Sequence, residues 1–326
     1  MNKINWGIIG CGDVTEIKSG PAFNKVNNSS LVAVMRRDAA KAKDYAQRHG
    51  VAKWYDNAND LINDSDVNAI YIATPPSSHE EYTIAALNAG KPVYVEKPMT
   101  INAASAKNMM NVANEKNVKL VVAHYRREQP MFKKIKQLLA ENIIGDIRFA
   151  KLEFFKQSLT KEELLVPKNA WRVDAAVAGG GLFYDLAPHQ LDLMYYFFGG
   201  ADTVNGIAIN QQQLYNADDI VSGNILFKNG IAFNGLWCFT VDENEEKDLC
   251  EIVGSKGKIS FAVFGEPKIM MAVERKKEFF LFDTLQHVQQ PMIEKVVDYF
   301  LDKGPNPCSA EDGVKVMEMM EKFTGR

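Results

Sequence analysis

The chain has 326 residues, with 38 basic and 41 acidic side chains and a formal net charge of −3. That balance leaves no electrostatic footprint for nucleic acid or for an anionic membrane surface, and no unpunctuated apolar run is long enough to span a bilayer. The length suits two domains, each with a core of its own.

The first residues, "MNKINWGIIG", enter a strand-like run without a signal-peptide h-region or cleavage site. Cys11, Cys238, Cys250 and Cys308 show no CxxC spacing, so they read as thiols of a reducing compartment, not as a zinc site or a disulfide framework. A cytoplasmic protein is expected. Strand signals follow at "INWGIIG", "LVAVM", "AIYIA", "PVYV" and "KLVVAH", separated by helical periodicity at Ala39–His49, His79–Asn88 and Asn102–Asn114. Unbroken apolar strands joined by helices predict a doubly wound parallel sheet over residues 1–123.

The first strand feeds "GIIGCGDVT". Gly10 suits a tight turn, Gly12 lets a backbone approach a pyrophosphate, and the helix opening at Asp13 and Val14 offers its free N–H groups. The third fingerprint glycine would fall at Thr15, so the match is incomplete. The second strand ends in Met35, Arg36, Arg37 and Asp38. A carboxylate there would read a ribose 2′-hydroxyl, whereas arginine suits a 2′-phosphate. Asp38 also has a plain reading as a helix N-cap, and the arginines as solvated surface. The pattern favours NADP, with NAD as the other choice.

In "ATPPSSHEEY", Thr74, Pro75 and Pro76 form a rigid turn on the expected cofactor edge, and Ser77 or Ser78 can cap the next helix. His79 is either structural or a cofactor contact. In "GKPVYVEKPM" a buried strand stops at Glu96, Lys97 and Pro98. Ligands of parallel sheets lie outside the carboxyl ends of the strands, so these residues are either surface decoration or half of an active site.

Residues 124–326 change character. A helix is expected at Pro130–Glu141, then a strand from "IGDIRFAKLEFF" and the glycine-rich "AVAGGGLFYDLAPHQLDLMYYFFGG". From Thr203 onward strand follows strand, with hairpin turns at Lys228-Asn229-Gly230 and Ser255-Lys256-Gly257. Helices return at Val288–Leu301 and Glu311–Lys322 and are candidates to pack back on the first domain. The predicted class is α/β, an N-terminal Rossmann domain with a C-terminal α/β domain carrying a large, mainly antiparallel open sheet.

The ordered set "GIIGCG", "ATPPSSH", "VEKPM" and "GGGLFYDLAPHQLD" resembles the glucose–fructose oxidoreductase, inositol dehydrogenase and rhizopine catabolism (Gfo/Idh/MocA) family over nearly the whole chain. The resemblance implies hydride transfer between a nicotinamide and a sugar, cyclitol or related hydroxy or carbonyl compound. It also implies sheet-face pairing into homodimers or homotetramers. It marks Lys97 as the catalytic-site lysine, with Glu96 completing its motif, Asp185 as the aspartate after the glycine run, and His189 as acid/base. The Lys97–Pro98 bond is often cis in such proteins.

Chemistry agrees with these roles. Oxidising a secondary alcohol requires loss of its hydroxyl proton, which His189 can take near neutral pH. Lys97 can donate to the reacting oxygen. Asp185, four positions before His189, can orient the imidazole if the helix runs on; Pro188 would disturb such a helix, in which case Asp185 binds substrate instead. Trp171 and Arg172 bind substrate or brace the pocket. Asp192 and His124 each have a polar-contact and a structural reading. No HExxH motif or cysteine cluster supports a metal. The resemblance leaves two other classes open for this chain: an NAD-dependent oxidation–elimination glycoside hydrolase and, against the intact lysine and histidine, a non-catalytic nucleotide-responsive regulator.

Overall fold

The structure is a computed structural model describing residues 2–326. It falls into two compact units, one running up to Tyr125 and including Leu285–Met317, the other Arg126–Thr284 with Glu318–Arg326.

The first unit alternates β1 (Ile4–Ile9), α1 (Asp13–Ile17), β2 (Ser29–Met35), α2 (Ala39–His49), β3 (Lys53–Tyr55), α3 (Ala58–Asn63), β4 (Ala69–Ile72), α4 (His79–Asn88), β5 (Val93–Val95), α5 (Ala103–Lys116) and β6 (Leu120–Val122). All six strands are parallel, in the order β3-β2-β1-β4-β5-β6. This is the dinucleotide-fold order, in which connectivity reverses between β1 and β4 and opens a crevice at their carboxyl ends. Every residue of β4, β5 and β6 is buried, the reason these strands read as unbroken apolar runs. β3, "KWY", is a half-exposed edge strand that the apolar pattern does not reveal.

The second unit contains α6 (Pro130–Ala140), β7 (Ile147–Gln157), α7 (Lys161–Leu165), α8 (Pro167–Val173), α9 (Ala175–Ala178), α10 (Gly181–Phe198) and the strands β8 (Ala201–Ile209), β9 (Ile220–Phe227), β10 (Ala232–Val241), β11 (Lys247–Gly254), β12 (Gly257–Phe261), β13 (Lys268–Val273) and β14 (Lys276–Leu281). The eight strands form one sheet, β14-β13-β12-β11-β7-β10-β9-β8. Every neighbouring pair is antiparallel except β7 with β10. Both expected hairpin turns fall between paired strands. α11 (Gln290–Phe300) belongs to the first unit, and α12 (Ala310–Thr324) contributes residues to both.

One sheet face carries Phe233, Trp237, Phe154 and Ile252 and is buried. Phe183 of α10 meets Trp237 edge-on at 5.1 Å, and Phe323 of α12 packs over Gly223, where a Cβ would come within 2.3 Å of its ring. The opposite face, fixed by strand register, presents Phe149, Ile207, Ile209, Leu226, Phe279 and Leu281. Ile207 is 67% and Leu281 76% exposed, so none of the described residues covers these side chains.

Candidate active site

The glycine turn follows β1. Gly10 has φ +94°, and a Cβ there would lie 2.7 Å from Thr74 Cγ2 and 2.8 Å from the Thr74 nitrogen. Only glycine fits. Gly10 and Thr74, expected from separate motifs, therefore back onto each other at the β1–β4 switch. Gly12 is open by contrast: an added Cβ would meet nothing closer than the Arg36 Nη1 and the Gly10 carbonyl, each at 3.9 Å. Thr15 replaces the third glycine without loss of the turn, because its buried hydroxyl donates to the Gly12 carbonyl (2.8 Å) and accepts the Gly12 N–H (2.9 Å).

Arg36 donates through Nη1 to the Cys11 carbonyl at 3.2 Å, which lays its guanidinium along the glycine turn. Arg37 is exposed. Asp38 is the N-cap of α2, accepting from the Lys41 N–H at 3.1 Å. Ser78 precedes α4 but does not cap it with its side chain; its hydroxyl lies 2.8 Å from Thr74 Oγ1. In place of the expected serine cap is a hydroxyl contact back to the Thr74 loop. Pro75 stays in extended conformation ahead of a short 3-10 turn.

His79 is fully buried, with Nε2 2.8 Å from the Thr74 carbonyl and Nδ1 3.0 Å from that of Pro98. Burial pushes its imidazole below its ordinary value, against the pull of the two carbonyls. It braces two loops instead of projecting from one. Glu96 is also turned inward, 5% exposed, accepting from Tyr71 and Gln289. Lys97 follows it, half-buried, and the Lys97–Pro98 peptide is cis.

In the second unit α10 runs without interruption from Gly181 to Phe198 with Pro188 inside it. The expected disturbance by proline does not break this helix, because tertiary packing outweighs the one missing hydrogen bond: twelve of its residues are buried. Asp185 and His189 therefore stand one turn apart on a continuous helix. Asp185 Oδ2 accepts from Arg172 Nε at 3.1 Å, and the Arg172 guanidinium lies 4.6 Å from the Trp171 ring centre. Three sequence candidates are thus one cluster.

His189 is 4% exposed and meets the Phe264 ring edge-on at 5.5 Å. Sequence reasoning missed Phe264, along with Arg126, whose guanidinium covers the same ring at 4.5 Å. Asp248 fixes that turn by accepting from the N–H groups of Val263 (3.0 Å), Phe264 (2.6 Å) and Gly265 (3.1 Å). Asp192 is spoken for structurally: both its oxygens take Arg127, at 2.7 to 3.0 Å, in the buried core. His124 is buried at the end of β6. Among the described residues no group of three or more His, Cys, Asp or Glu side chains could hold a metal, and no helix is long and apolar enough to cross a membrane.

Comparison with known proteins accords with this architecture. Residues 4–124 match the oxidoreductase family with NAD-binding Rossmann fold, and residues 132–260 match the GFO/IDH/MocA C-terminal domain. The chain is 47% identical over 324 residues, 99% of both chains, to oxidoreductase P35 of Formosa agariphila. It is 30% identical to trans-1,2-dihydrobenzene-1,2-diol dehydrogenase of Oryctolagus cuniculus over 78% of this chain and 72% of that one. It is 28% identical to 1,5-anhydro-D-fructose reductase of Ensifer adhaerens, covering 71% and 67%. Among solved structures, levoglucosan dehydrogenase in complex with NADH and levoglucosan superposes with a TM-score of 0.89 at 21% identity, covering 98% of this chain and 96% of that one.

Proposed function

This chain belongs to the GFO/IDH/MocA oxidoreductase family, and we propose that it moves hydride between NADP(H) and a hydroxyl-bearing carbon of a sugar, cyclitol or dihydrodiol. The observation that supports this most is the carboxyl edge of the parallel sheet, where the open Gly12 turn lies under Arg36 and Lys97 leaves the end of β5. A dinucleotide fits such an edge: Gly12 leaves space for a pyrophosphate, and the Asp13 and Val14 amides begin α1. Arg36 and Arg37 suit a 2′-phosphate, while the carboxylate that would read a free ribose, Asp38, is engaged as a helix cap.

The bound nicotinamide supplies the hydride chemistry. Lys97 donates to the reacting oxygen and stabilises its developing charge. His189 takes the hydroxyl proton on oxidation and returns it on reduction. Asp185, held by Arg172, and the Trp171 face contribute polar and stacking contacts to a polyol. Thr74 and Pro75 line the cofactor edge, with His79 and Glu96 supporting it from behind.

The same reading makes the protein a cytoplasmic homo-oligomer. Its support is the uncovered sheet face with its exposed Ile207, Ile209, Phe279 and Leu281 and the absence of any disulfide among the described cysteines. A coupled absorbance screen tests the activity, using 1,5-anhydro-D-fructose, levoglucosan, inositols, aldoses and trans-dihydrodiols with both nucleotides in both directions. Turnover of at least one substrate, faster with the NADP couple, is expected. Silence across the panel from folded, nucleotide-binding protein would contradict the proposal.

A further inference from the structure

Lys97 leaves β5 directly after a carboxylate that the fold has buried. Glu96 Oε1 accepts from the Tyr71 hydroxyl at 2.5 Å and from Gln289 Nε2 at 2.6 Å, while Oε2 accepts the Lys97 N–H at 3.1 Å. The Tyr94 hydroxyl donates to Gln289 Oε1 at 3.1 Å and so fixes which way the amide faces. Tyr71, Tyr94 and Gln289 are all fully buried. Gln289 comes from a segment 193 residues downstream of Glu96, as the N-cap residue of α11.

A carboxylate in such a core is costly to desolvate, and apolar residues of similar volume would fill the space without that cost. What the carboxylate adds is direction. With Oε1 held by two donors, Oε2 is left aimed at one main-chain amide, that of Lys97. We infer that Gln289 is a positioning residue for Lys97, acting through Glu96, with Tyr71 as the second donor. The inference rests on the reading of Lys97 as the donor to the reacting oxygen. It adds a residue that no motif marks, placed where a small shift of a catalytic group costs roughly a hundredfold in rate.

The test is Gln289→Met in the full chain, which keeps side-chain length and removes the amide. With 15N-lysine labelling, and the Lys97 resonance assigned by Lys97→Arg, the Lys97 amide should exchange at least about tenfold faster without nucleotide present. Other protected lysine amides should keep their rates. Single-turnover hydride transfer from NADPH to 1,5-anhydro-D-fructose should fall roughly ten- to a hundredfold, with NADPH affinity little changed. If Gln289→Met does not fold, Tyr71→Phe removes the other donor with little change in packing and should show the same pattern. Unchanged Lys97 exchange in a folded variant overturns the inference, whatever Lys97 does. Faster exchange with a wild-type hydride rate also overturns it. A Lys97→Met control with wild-type turnover would instead bring down the reading of the lysine while leaving the exchange result intact.

Discussion

The Nδ1 of His79 lies 3.0 Å from the carbonyl oxygen of Pro98, so the first residue of α4 is tied to the peptide just after Lys97. Its other nitrogen reaches Thr74, which backs the Gly10 turn. One imidazole thus joins the Thr74 loop to the Lys97–Pro98 loop, with the Pro98 contact buried and the Thr74 contact partly so. Replacing His79 by phenylalanine keeps an aromatic ring but strands the carbonyl that the single N–H of the neutral imidazole serves. We expect a loss of about 1–3 kcal/mol in urea unfolding and weaker NADPH binding. Unchanged stability would mean that this carbonyl finds another partner.

The proposed preference for NADP rests on Arg36 and Arg37. Calorimetric titration should give tighter binding of NADPH than NADH, and Arg36→Ala/Arg37→Ala should shrink the difference. Each lost charge-assisted contact should cost about 1.5–3 kcal/mol. Equal wild-type affinities would remove the basis for the assignment.

The uncovered sheet face predicts association. Sedimentation equilibrium at micromolar concentration should show a dimer or tetramer, and Ile207→Asp, in the middle of the exposed β8 stripe, should shift it toward monomer. A wild-type monomer would show that this face is solvated in solution.

The same face carries an acid-sensitive cluster. Glu251 lies across from Lys151 on β7 and Ser260 on β12. Burial alone would raise its carboxyl, but hydrogen bonds from Lys151, Lys258 and Ser260 prevail and hold it at about 2. A carboxyl depressed in the folded state contributes stability above its unfolded value, near 4.5, that is lost as the pH falls toward 2. Both lysines are more than a third exposed, so solvent screening trims the contribution to about 1–2 kcal/mol. Glu251→Gln should be destabilised by that amount at pH 7, and the difference should vanish on acid titration. A constant difference down to pH 2 would argue against the ion pairs as its source.

Much of this was legible in the sequence because burial leaves a mark on composition. β1, β2, β4, β5 and β6 lie inside a doubly covered sheet and read as apolar runs. The charged edge strands β3 and β14, "KWY" and "KKEFFL", have no such pattern and were not expected. Nor does alternation encode which strands pair, so the parallel β7–β10 pair within an antiparallel sheet could not be read. Gly10, Gly12, Thr74 and Arg36 were visible because a glycine turn at a strand end has a spacing. Gln289, Phe264 and Arg126 were not, because each approaches its partner only through tertiary folding.

The proposed hydride transfer depends most directly on Lys97. Stopped-flow measurement of a single hydride transfer, in Lys97→Met protein shown by melting to be folded, separates chemistry from binding. If Lys97 acts mainly on the transition state, the rate should drop by about two to three orders of magnitude, while NADPH affinity stays close to wild type. A folded Lys97→Met variant that binds both ligands and transfers hydride at the wild-type rate would contradict the assignment of the lysine as catalytic.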